Sequence, residues 1–334
     1  MILPVYNAED TLTSAVDSIL RQSFQQFELL IVNDGSTDRS RDILAGYRDP
    51  RIRIIDCHVN RGLVAALNDA LQEARADLIA RQDADDISLP KRFELQRAML
   101  EAEPNLGAVG AALQTVWANG SAAGTWKYPE SATIARWQSL FKTPVAHSAV
   151  MFRRGRVLEV GGYLKEFKYA EDYDLWSRLL KVADIRSISH PLVKYALGPQ
   201  GVSRARAREQ MAVQCRIAAR NMREVLGADV PDEVVQTLAI GIDLQEGTIE
   251  YEQFVKAAST CTILVKAFMK SQIERTERAA LLYDYRGKLF KLTRMLPYRS
   301  RVPAIKEIIS MAPKGALGRV TGAIEGIRCL MPFG

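Results

Sequence analysis

The sequence predicts an α/β fold with a parallel sheet, followed by an all-helical C-terminal extension. Three observations carry that expectation. From Met1 to Arg81, apolar runs of strand character alternate with segments of helical period. The connections between them are short, which in an alternating chain implies right-handed crossovers and parallel strands. From about Arg204 onward strand patterns vanish and long helical patterns follow, which sets two regions, 1–204 and 205–334.

Met1 to Val5 is a short apolar strand that ends at Pro4-Val5-Tyr6-Asn7. Glu9 to Phe24 has helical period, with Leu12, Ala15, Val16, Ile19 and Leu20 on one face. Phe27 to Val32 is a continuous apolar run, as a strand buried on both faces requires. It stops at Asn33-Asp34-Gly35-Ser36. A short helix is predicted from Thr37 to Tyr47, with Ser36 or Thr37 as its N-cap. Arg51 to Asp56 alternates as a strand, Gly62 to Arg75 is helical, and Asp77 to Arg81 is a fourth strand. Lys91 to Glu103 is a helix behind Pro90. Leu106 to Trp117 and Ala146 to Phe152 are strand-like, with His147 at the start of the latter. Glu171 to Val182 is helical and Arg186 to Tyr195 is extended. The remaining helices are expected to break at Gly227 to Pro231, Gly241, Pro297, Pro303 and Pro313.

Composition excludes several classes. The 334 residues are 48% apolar, 25% charged and 7% aromatic, an ordinary globular balance. No uninterrupted apolar run of about 18 residues or more predicts a spanning helix. No basic start precedes an apolar stretch, so no signal peptide is expected. Four cysteines (Cys57, Cys215, Cys261, Cys329) stand far apart and only three histidines are present, which argues against structural zinc and for free thiols in a reducing cytoplasm. The net charge of +6 is uneven: Arg286 to Gly334 alone carries +8. Aromatic interleaving in that stretch is sparse, so nucleic acid is not an expected partner.

In an open α/β sheet, ligands sit beyond the carboxyl ends of the strands. Three polar clusters fall there: Tyr6-Asn7, Asn33-Asp34 and Asp83-Asp85. Asp83, Asp85 and Asp86 are crowded like charges, which persist best beside a cation. Hard divalent ions take such oxygen ligands, though alone the triplet is as readily an acidic turn ahead of a helix. Asp34 is a base-binding acceptor or simply a residue of a tight Asp-Gly turn. Glu171-Asp172 either stabilises a helix start or supplies a general base. His147 is better explained by structure than by contact with a substrate, and His58 and His190 as ordinary surface or core residues.

Together, Pro4-Val5-Tyr6-Asn7-Ala8-Glu9, Asn33-Asp34-Gly35-Ser36-Thr37-Asp38, Asn60-Arg61-Gly62 with Asn68, Asp83-Ala84-Asp85-Asp86, and Ala170-Glu171-Asp172 with Leu175-Trp176 resemble the signature set of glycosyltransferase family 2, in order and in spacing. The resemblance covers residues 1–204. Each motif alone is weak; five in order are specific. It implies a GT-A fold, in which a Rossmann-like nucleotide-binding sheet joins an acceptor-binding half. It also implies a nucleoside diphosphate sugar as donor, a UDP-sugar being favoured. On that resemblance Pro4, Val5, Tyr6 and Glu9 line the nucleotide pocket, and Gly62 and Ala84 belong to the donor site. Asp34 hydrogen-bonds the base and Asp83 lies near the ribose. Asp85 ligates Mg²⁺ or Mn²⁺ on the diphosphate, and Asp172 is the catalytic base of an inverting transfer. The acceptor implied is a glycan or a lipid-linked glycan, in synthesis of cell-surface polysaccharide or lipid-linked oligosaccharide.

The sequence departs from the family pattern in two places. Where relatives carry Tyr-Arg-x-His, this chain has Tyr195-Ala196-Leu197-Gly198, so the phosphate charge would fall to Arg204, Arg206 or Arg208. Met1 already lies inside the first strand, which implies a reading frame shortened at its start. The Gln/Arg-x-x-Arg-Trp signature of processive synthases is missing, and Arg136-Trp137 lies outside that context, so one sugar is expected per acceptor. Lys288 to Lys314 mixes apolar and basic residues, as a helix lying on an anionic membrane surface does, or as a solvated helical face does. The expected location is therefore the cytoplasm or the inner face of the cytoplasmic membrane. Two other readings stand beside the first: a polyprenyl-phosphate sugar synthase, and a catalytically silent nucleotide-sugar-binding homologue.

Overall fold

A computed structural model describes residues 1–117, 120–197, 206–241, 248–270 and 273–313. The chain divides into two compact units, Met1–Gln214 and Cys215–Gly334.

The first unit begins with three parallel strands, β1 (Ile2–Val5), β2 (Leu29–Asp34) and β3 (Ile52–Cys57), in that spatial order. β2 is buried along its whole length because it is central. Leu30 and Val32 pack against α3 (Leu63–Glu73) through Val64, Leu67 and Leu71. Leu29 and Ile31 point the other way, against Leu12, Val16 and Ile19 of α1 (Leu12–Leu20). The strand alternation thus splits one apolar run between two cores, each buried side chain contributing roughly 1.5–3 kcal/mol. β3 is the edge, and Ile54 is exposed there.

The predicted helix Glu9–Phe24 is shorter than its periodicity suggests. Glu9 is held in the preceding loop, its amide donating to Asp38 (2.9 Å) and its carboxylate accepting from the Arg39 amide (3.0 Å). Ser36 and Thr37 do not cap α2 (Ser40–Gly46); the N-cap position is Arg39. Their polar groups bind Asn7 instead, the Ser36 hydroxyl accepting from its amide and the Thr37 amide donating to its side chain. The Asp38 carboxylate takes over by accepting from the Ser40 amide (2.9 Å).

The parallel expectation holds only for this first sheet. β4 (Leu78–Ala80), β5 (Ile87–Ser88), β6 (Leu106–Trp117), β7 (Ala122–Trp126), β8 (Met151–Arg153) and β9 (Asp184–Leu197) form a mixed sheet ordered β4-β8-β6-β9-β5, with β7 on β6. Only β6 and β9 are parallel in it. A parallel bridge between Ile2 and Arg81 joins the two sheets. The predicted strand Ala146–Phe152 is mostly not strand: His147–Ala149 is a 3₁₀ turn, and β8 starts at Met151. Its backbone acceptors are taken elsewhere, Ala149 O by the Gln96 side chain and Val150 O by the Arg81 amide. β7, α5 (Ala132–Gln138) and α6 (Arg154–Glu159) were not expected from the sequence. α7 (Glu171–Leu179) was, and buries Leu175, Trp176 and Leu179.

Behind the β4–β5 loop lies α4 (Arg92–Ala102). Arg92 is fully buried. Its guanidinium donates to the backbone oxygens of Arg81 (2.6 Å) and Val150 (3.2 Å), and to the side chains of Ser88 (3.0 Å), Gln82 (3.3 Å) and Gln96 (3.1 Å). Burial pushes its pKa down to about 9.

α8 (Ala207–Leu226) runs into the second unit, which continues with α9 (Asp232–Gln236), a π turn at Thr237–Gly241, α10 (Tyr251–Met269), α11 (Arg275–Arg294) and α12 (Tyr298–Met311). Within it α10 buries Phe254, Ala257, Cys261 and Leu264, and α11 buries Leu281, Tyr285, Leu289 and Leu292. The hydroxyls of Thr262 and Tyr285 meet at 2.8 Å. Pro303 does not break its helix. The carbonyl it leaves without an amide belongs to Arg299, which is exposed and can be hydrated. Cys57, Cys215 and Cys261 are free thiols; Cys329 lies outside the described residues.

Arg92→Met should lower the unfolding free energy by about 3 kcal/mol, because it takes one donor from each of five interior acceptors, of which Val150 O keeps the Arg81 amide and Gln82 the Ser88 hydroxyl. Arg97→Met, which removes an exposed partner of Glu101, should cost less than about 1 kcal/mol. Urea denaturation of both variants checks the contrast.

Candidate active site

Tyr6-Asn7, Asn33-Asp34 and Asp83-Asp85 each sit at a strand's carboxyl end, whereas Glu171-Asp172 opens α7. Past β1, Tyr6 is half exposed and Asn7 takes a left-handed conformation (φ 49°), which its short polar side chain tolerates. The contacts of Asn7 and Glu9 described above fasten this loop to the one after β2. Ala8 adds a third tie, its amide donating to the Ser40 hydroxyl (2.9 Å).

At the end of β2, Asp34 is 3% exposed. Its two carboxylate oxygens accept from the amides of Arg61 (2.9 Å) and Gly62 (2.8 Å). Gly62 has φ 89° and opens α3, so Asp34 anchors the β3–α3 loop at a helix N-terminus. Gly35 is required by proximity: a Cβ there would stand 2.5 Å from the Asn60 nitrogen. Pro4 and Val5 are buried in β1 beside this frame.

The β4–β5 loop carries the acids. One oxygen from each of Asp83, Asp85 and Asp86 lies within 4.8 Å of the others. Hard carboxylate oxygens this close together could hold one small divalent ion, which prefers such ligands. Ala84 links the pair. Asp86 is 1% exposed; its Oδ1 accepts from the Ala196 amide (3.3 Å), and its Oδ2 has no hydrogen-bond partner among the described residues. Burial, then the neighbouring charges of Asp83 and Asp85, raises the Asp86 pKa well above the usual carboxylate range. Burial and Asp83 raise that of Asp85. A bound cation would reverse both shifts, because it favours the ionised forms.

Arg81, 1% exposed, donates to the carboxylate of Asp83. Its Nε has no partner among the described residues. Burial opposes its charge, but Asp83, Tyr163 and Glu171 together hold its pKa raised. The guanidinium is therefore within electrostatic reach of both the acid loop and the start of α7.

Asp172 lies in the first turn of α7. Burial, followed by the charge of Glu171, raises its pKa to about 7. Glu171 is itself raised, chiefly by burial. Tyr163 is fixed nearby from two sides: Asn68 accepts from its amide (3.0 Å) and donates to its carbonyl (2.8 Å). Its hydroxyl meets His147 Nε2 at 2.8 Å. Burial, with Arg81 close by, keeps His147 neutral, its pKa well below the ordinary histidine value. His147 thus serves packing and hydrogen bonding.

The structure brings Asp83, Asp85 and Asp86 together, and sets Asp172 in a buried, electrostatically linked neighbourhood with Arg81. Gly198 and Arg204 fall outside the described residues. Arg206 pairs with Glu209 at 3.1 Å on an exposed surface. Sequence reasoning missed Arg81, Tyr163 and Tyr128, whose hydroxyl is held protonated by burial and then by the charge of Asp172. Arg81 stands two residues before the first of the acids, a signal that was available. Tyr128 and Tyr163 come from segments without regular period, and nothing in the sequence marks them.

A carboxyl whose folded pKa is raised costs stability once it ionises. For Asp172 that cost is absent below the unfolded value near 4 and complete above about 7. Asp172→Asn should therefore raise Tm relative to wild type increasingly from pH 4 to 7, and by a constant margin above. Differential scanning calorimetry across pH 4–9 checks this.

The family model described as "Glycosyl transferase family 2" matches residues 1–158. The O-antigen biosynthesis glycosyltransferase WbnJ of Escherichia coli is 34% identical over 203 residues, 59% of this chain and 78% of that one. The crystal structure of S. aureus TarS 1–349 in complex with UDP-GlcNAc is similar in fold, with TM-score 0.57 and 18% identity over 89% of this chain and 90% of that one. The mannosyltransferase PcManGT from Pyrobaculum calidifontis, solved with GDP-Man and Mn²⁺, has TM-score 0.51 and 17% identity over 92% and 86%. The fold is GT-A, and the chain belongs to glycosyltransferase family 2.

Proposed function

We propose that this glycosyltransferase is metal-dependent and inverting, and moves one sugar from a nucleoside diphosphate sugar to an acceptor hydroxyl. The observation that carries the proposal is the pairing of an acid cluster after β4 with a separate half-buried carboxylate, Asp172, linked to it electrostatically through Arg81. Asp85, with Asp83 and Asp86, would hold Mg²⁺ or Mn²⁺. Bound there, the ion offsets the charge that develops on the departing diphosphate. Asp172 takes the proton of the acceptor hydroxyl as that oxygen attacks the anomeric carbon. The bond to the nucleoside diphosphate breaks on the opposite face, so the configuration inverts. A base with pKa about 7 is about half ionised at pH 7 and remains basic enough to accept a proton.

Tyr6, Glu9 and the edge formed by Pro4 and Val5 face the nucleotide, and Gly62 and Ala84 flank it. Asp34 binds the base with the lone pairs left after its two amide contacts. A UDP-sugar is the favoured donor. TarS is described with UDP-GlcNAc and PcManGT with GDP-Man, so the base is the point to test. A role in cell-surface polysaccharide or lipid-linked oligosaccharide synthesis agrees with the description of WbnJ.

None of the described helices is long and apolar enough to cross a membrane. In the second unit, the exposed residues between 283 and 310 include Tyr283, Phe290, Tyr298, Val302 and Ile309, with Arg294, Arg299 and Lys306. No acidic residue is exposed among them. Lys288, by contrast, is buried against Asp284 (3.7 Å). This aromatic and cationic surface suits peripheral contact with anionic lipid, which would place the enzyme beside a lipid-linked acceptor.

Asp172→Asn should reduce transfer at least about 100-fold and leave donor affinity within about twofold, measured as nucleoside diphosphate release and by calorimetry. Wild-type turnover in that variant would refute the base assignment. The wild-type rate should fall as pH drops below about 7, following ionisation of Asp172. With Mn²⁺ present, UDP should bind more tightly than GDP, and Asp85→Ala should weaken UDP more than about tenfold. On flotation, the full chain should follow vesicles containing phosphatidylglycerol and not neutral ones. The double substitution Arg299→Glu, Lys306→Glu should abolish that difference. Transfer to polyprenyl phosphate alone would favour the synthase reading.

A further inference from the structure

The hairpin of β6 and β7 carries two large aromatic residues into solvent, Trp117 and Trp126, which are 50% and 48% exposed. All of β7 is exposed, so Trp126 is not held out by a core of its own. Its indole stands 5.4 Å from the ring of Tyr195 in β9, tilted by 39°. The sheet register explains the meeting. β6 lies between β7 and β9, and its Thr115 pairs with Gly124 on one side and Tyr195 on the other. Gly124 has no side chain, which leaves the space over Thr115 open to the indole two residues on, and Thr115 is 1% exposed.

Tyr195 is tied to the acid loop. Ser88 pairs with Val193 and Ile87 with Lys194, and the amide of Ala196 donates to Asp86. The ring next to Trp126 therefore stands one residue from the backbone group that holds Asp86. Burial raises the pKa of Tyr195 to about 12, with the charges of Asp86, Asp83 and Asp85 adding to it. Tyr128, two residues beyond Trp126, is also raised, first by burial and then by Asp172 and Tyr195. Tyr195 thus stands beside the acid loop, and Tyr128 lies within electrostatic reach of both Tyr195 and Asp172.

A transferase needs a second subsite, which holds the acceptor with its hydroxyl toward the base. A pyranose presents a face of C–H groups that stacks on the electron-rich face of an aromatic ring. We propose that Trp126 and Tyr195 form the platform on which an acceptor sugar ring stacks. This rests on the glycosyl-transfer reading above and adds the acceptor's chemical class, a pyranose, together with the residues that receive it. An ordinary cross-strand contact that only stiffens the hairpin is the competing account. It predicts that donor and acceptor parameters change together when Trp126 is lost.

The test uses the full chain with Mn²⁺ and two readouts. First, saturation-transfer NMR with methyl β-glucopyranoside, methyl N-acetyl-β-glucosaminide and cellobiose reports contact with sugar C–H groups without turnover. Wild type should saturate ring protons of at least one of these. Trp126→Ala should lose the signal and Trp126→Tyr should keep it. Second, transfer from UDP-glucose or UDP-GlcNAc to the sugar that binds should show the acceptor KM raised about tenfold in Trp126→Ala, with the donor KM changed less than about twofold. An equal NMR signal in wild type and Trp126→Ala overturns the platform, as does no signal with any sugar or a parallel rise in both KM values. If the NMR contrast appears but wild type releases no UDP from either donor, the platform stands and the donor reading fails.

Discussion

Arg92 donates to five acceptors from one fully buried guanidinium, and two of them are the backbone oxygens of Arg81 and Val150. Those two residues are neighbours across the gap between β4 and β8, and the Arg81 amide bonds Val150 in turn. The same guanidinium reaches Gln82 and Ser88, and the Gln82 side chain donates to the Asp86 carbonyl (2.8 Å). The loop from Arg81 to Ser88 is therefore pinned from beneath at both ends. Three carboxylates crowded within 4.8 Å would otherwise spread the loop apart. A buried cation with this many hydrogen bonds is costly to form but fixes a single arrangement, because no other conformation satisfies it.

The rest of the site is arranged around that loop by further single side chains that bond backbone groups distant in sequence. Asp34 fixes the loop after β3, and Asn68 clamps Tyr163 across 95 residues of chain. Asn7, Ser36 and Ser40 stitch the loops after β1 and β2. These contacts share one logic. Each polar side chain satisfies backbone amides or carbonyls at the open end of the sheet, where no ladder partner remains. The edge that must admit a ligand is thereby kept rigid without being filled by apolar side chains.

Charge is distributed unevenly across this edge. Arg81 is a buried cation bonded to Asp83 of the loop and within electrostatic reach of Glu171. The acids beyond it are held at raised pKa, Asp85 by desolvation and then Asp83, and Asp86 by burial and then Asp83 and Asp85. Asp172 is raised by burial and Glu171 to about 7. In the proposed function, two carboxylate groups in separate environments would divide electrostatic and acid–base work between different segments of the chain.

The sequence by itself determined the alternating first half, the places where strands give way to polar residues, and the family. Apolar period and turn residues are local properties, and five short motifs keep their order whatever the intervening loops do. The strand Leu106–Trp117 was legible for the same reason, being a long unbroken run. The tertiary structure decided what depends on partners distant in the chain. It converted Ala146–Phe152 into a turn and a short strand, because side chains from α4 and the amide of Arg81 took the backbone acceptors. It turned Ser36 and Thr37 from helix caps into ties to Asn7. It added Arg81, Tyr163 and the Trp126–Tyr195 pair to a neighbourhood that the motifs alone left incomplete. Register across β7, β6 and β9 decides that last meeting, and register is a property of paired strands that no single segment carries.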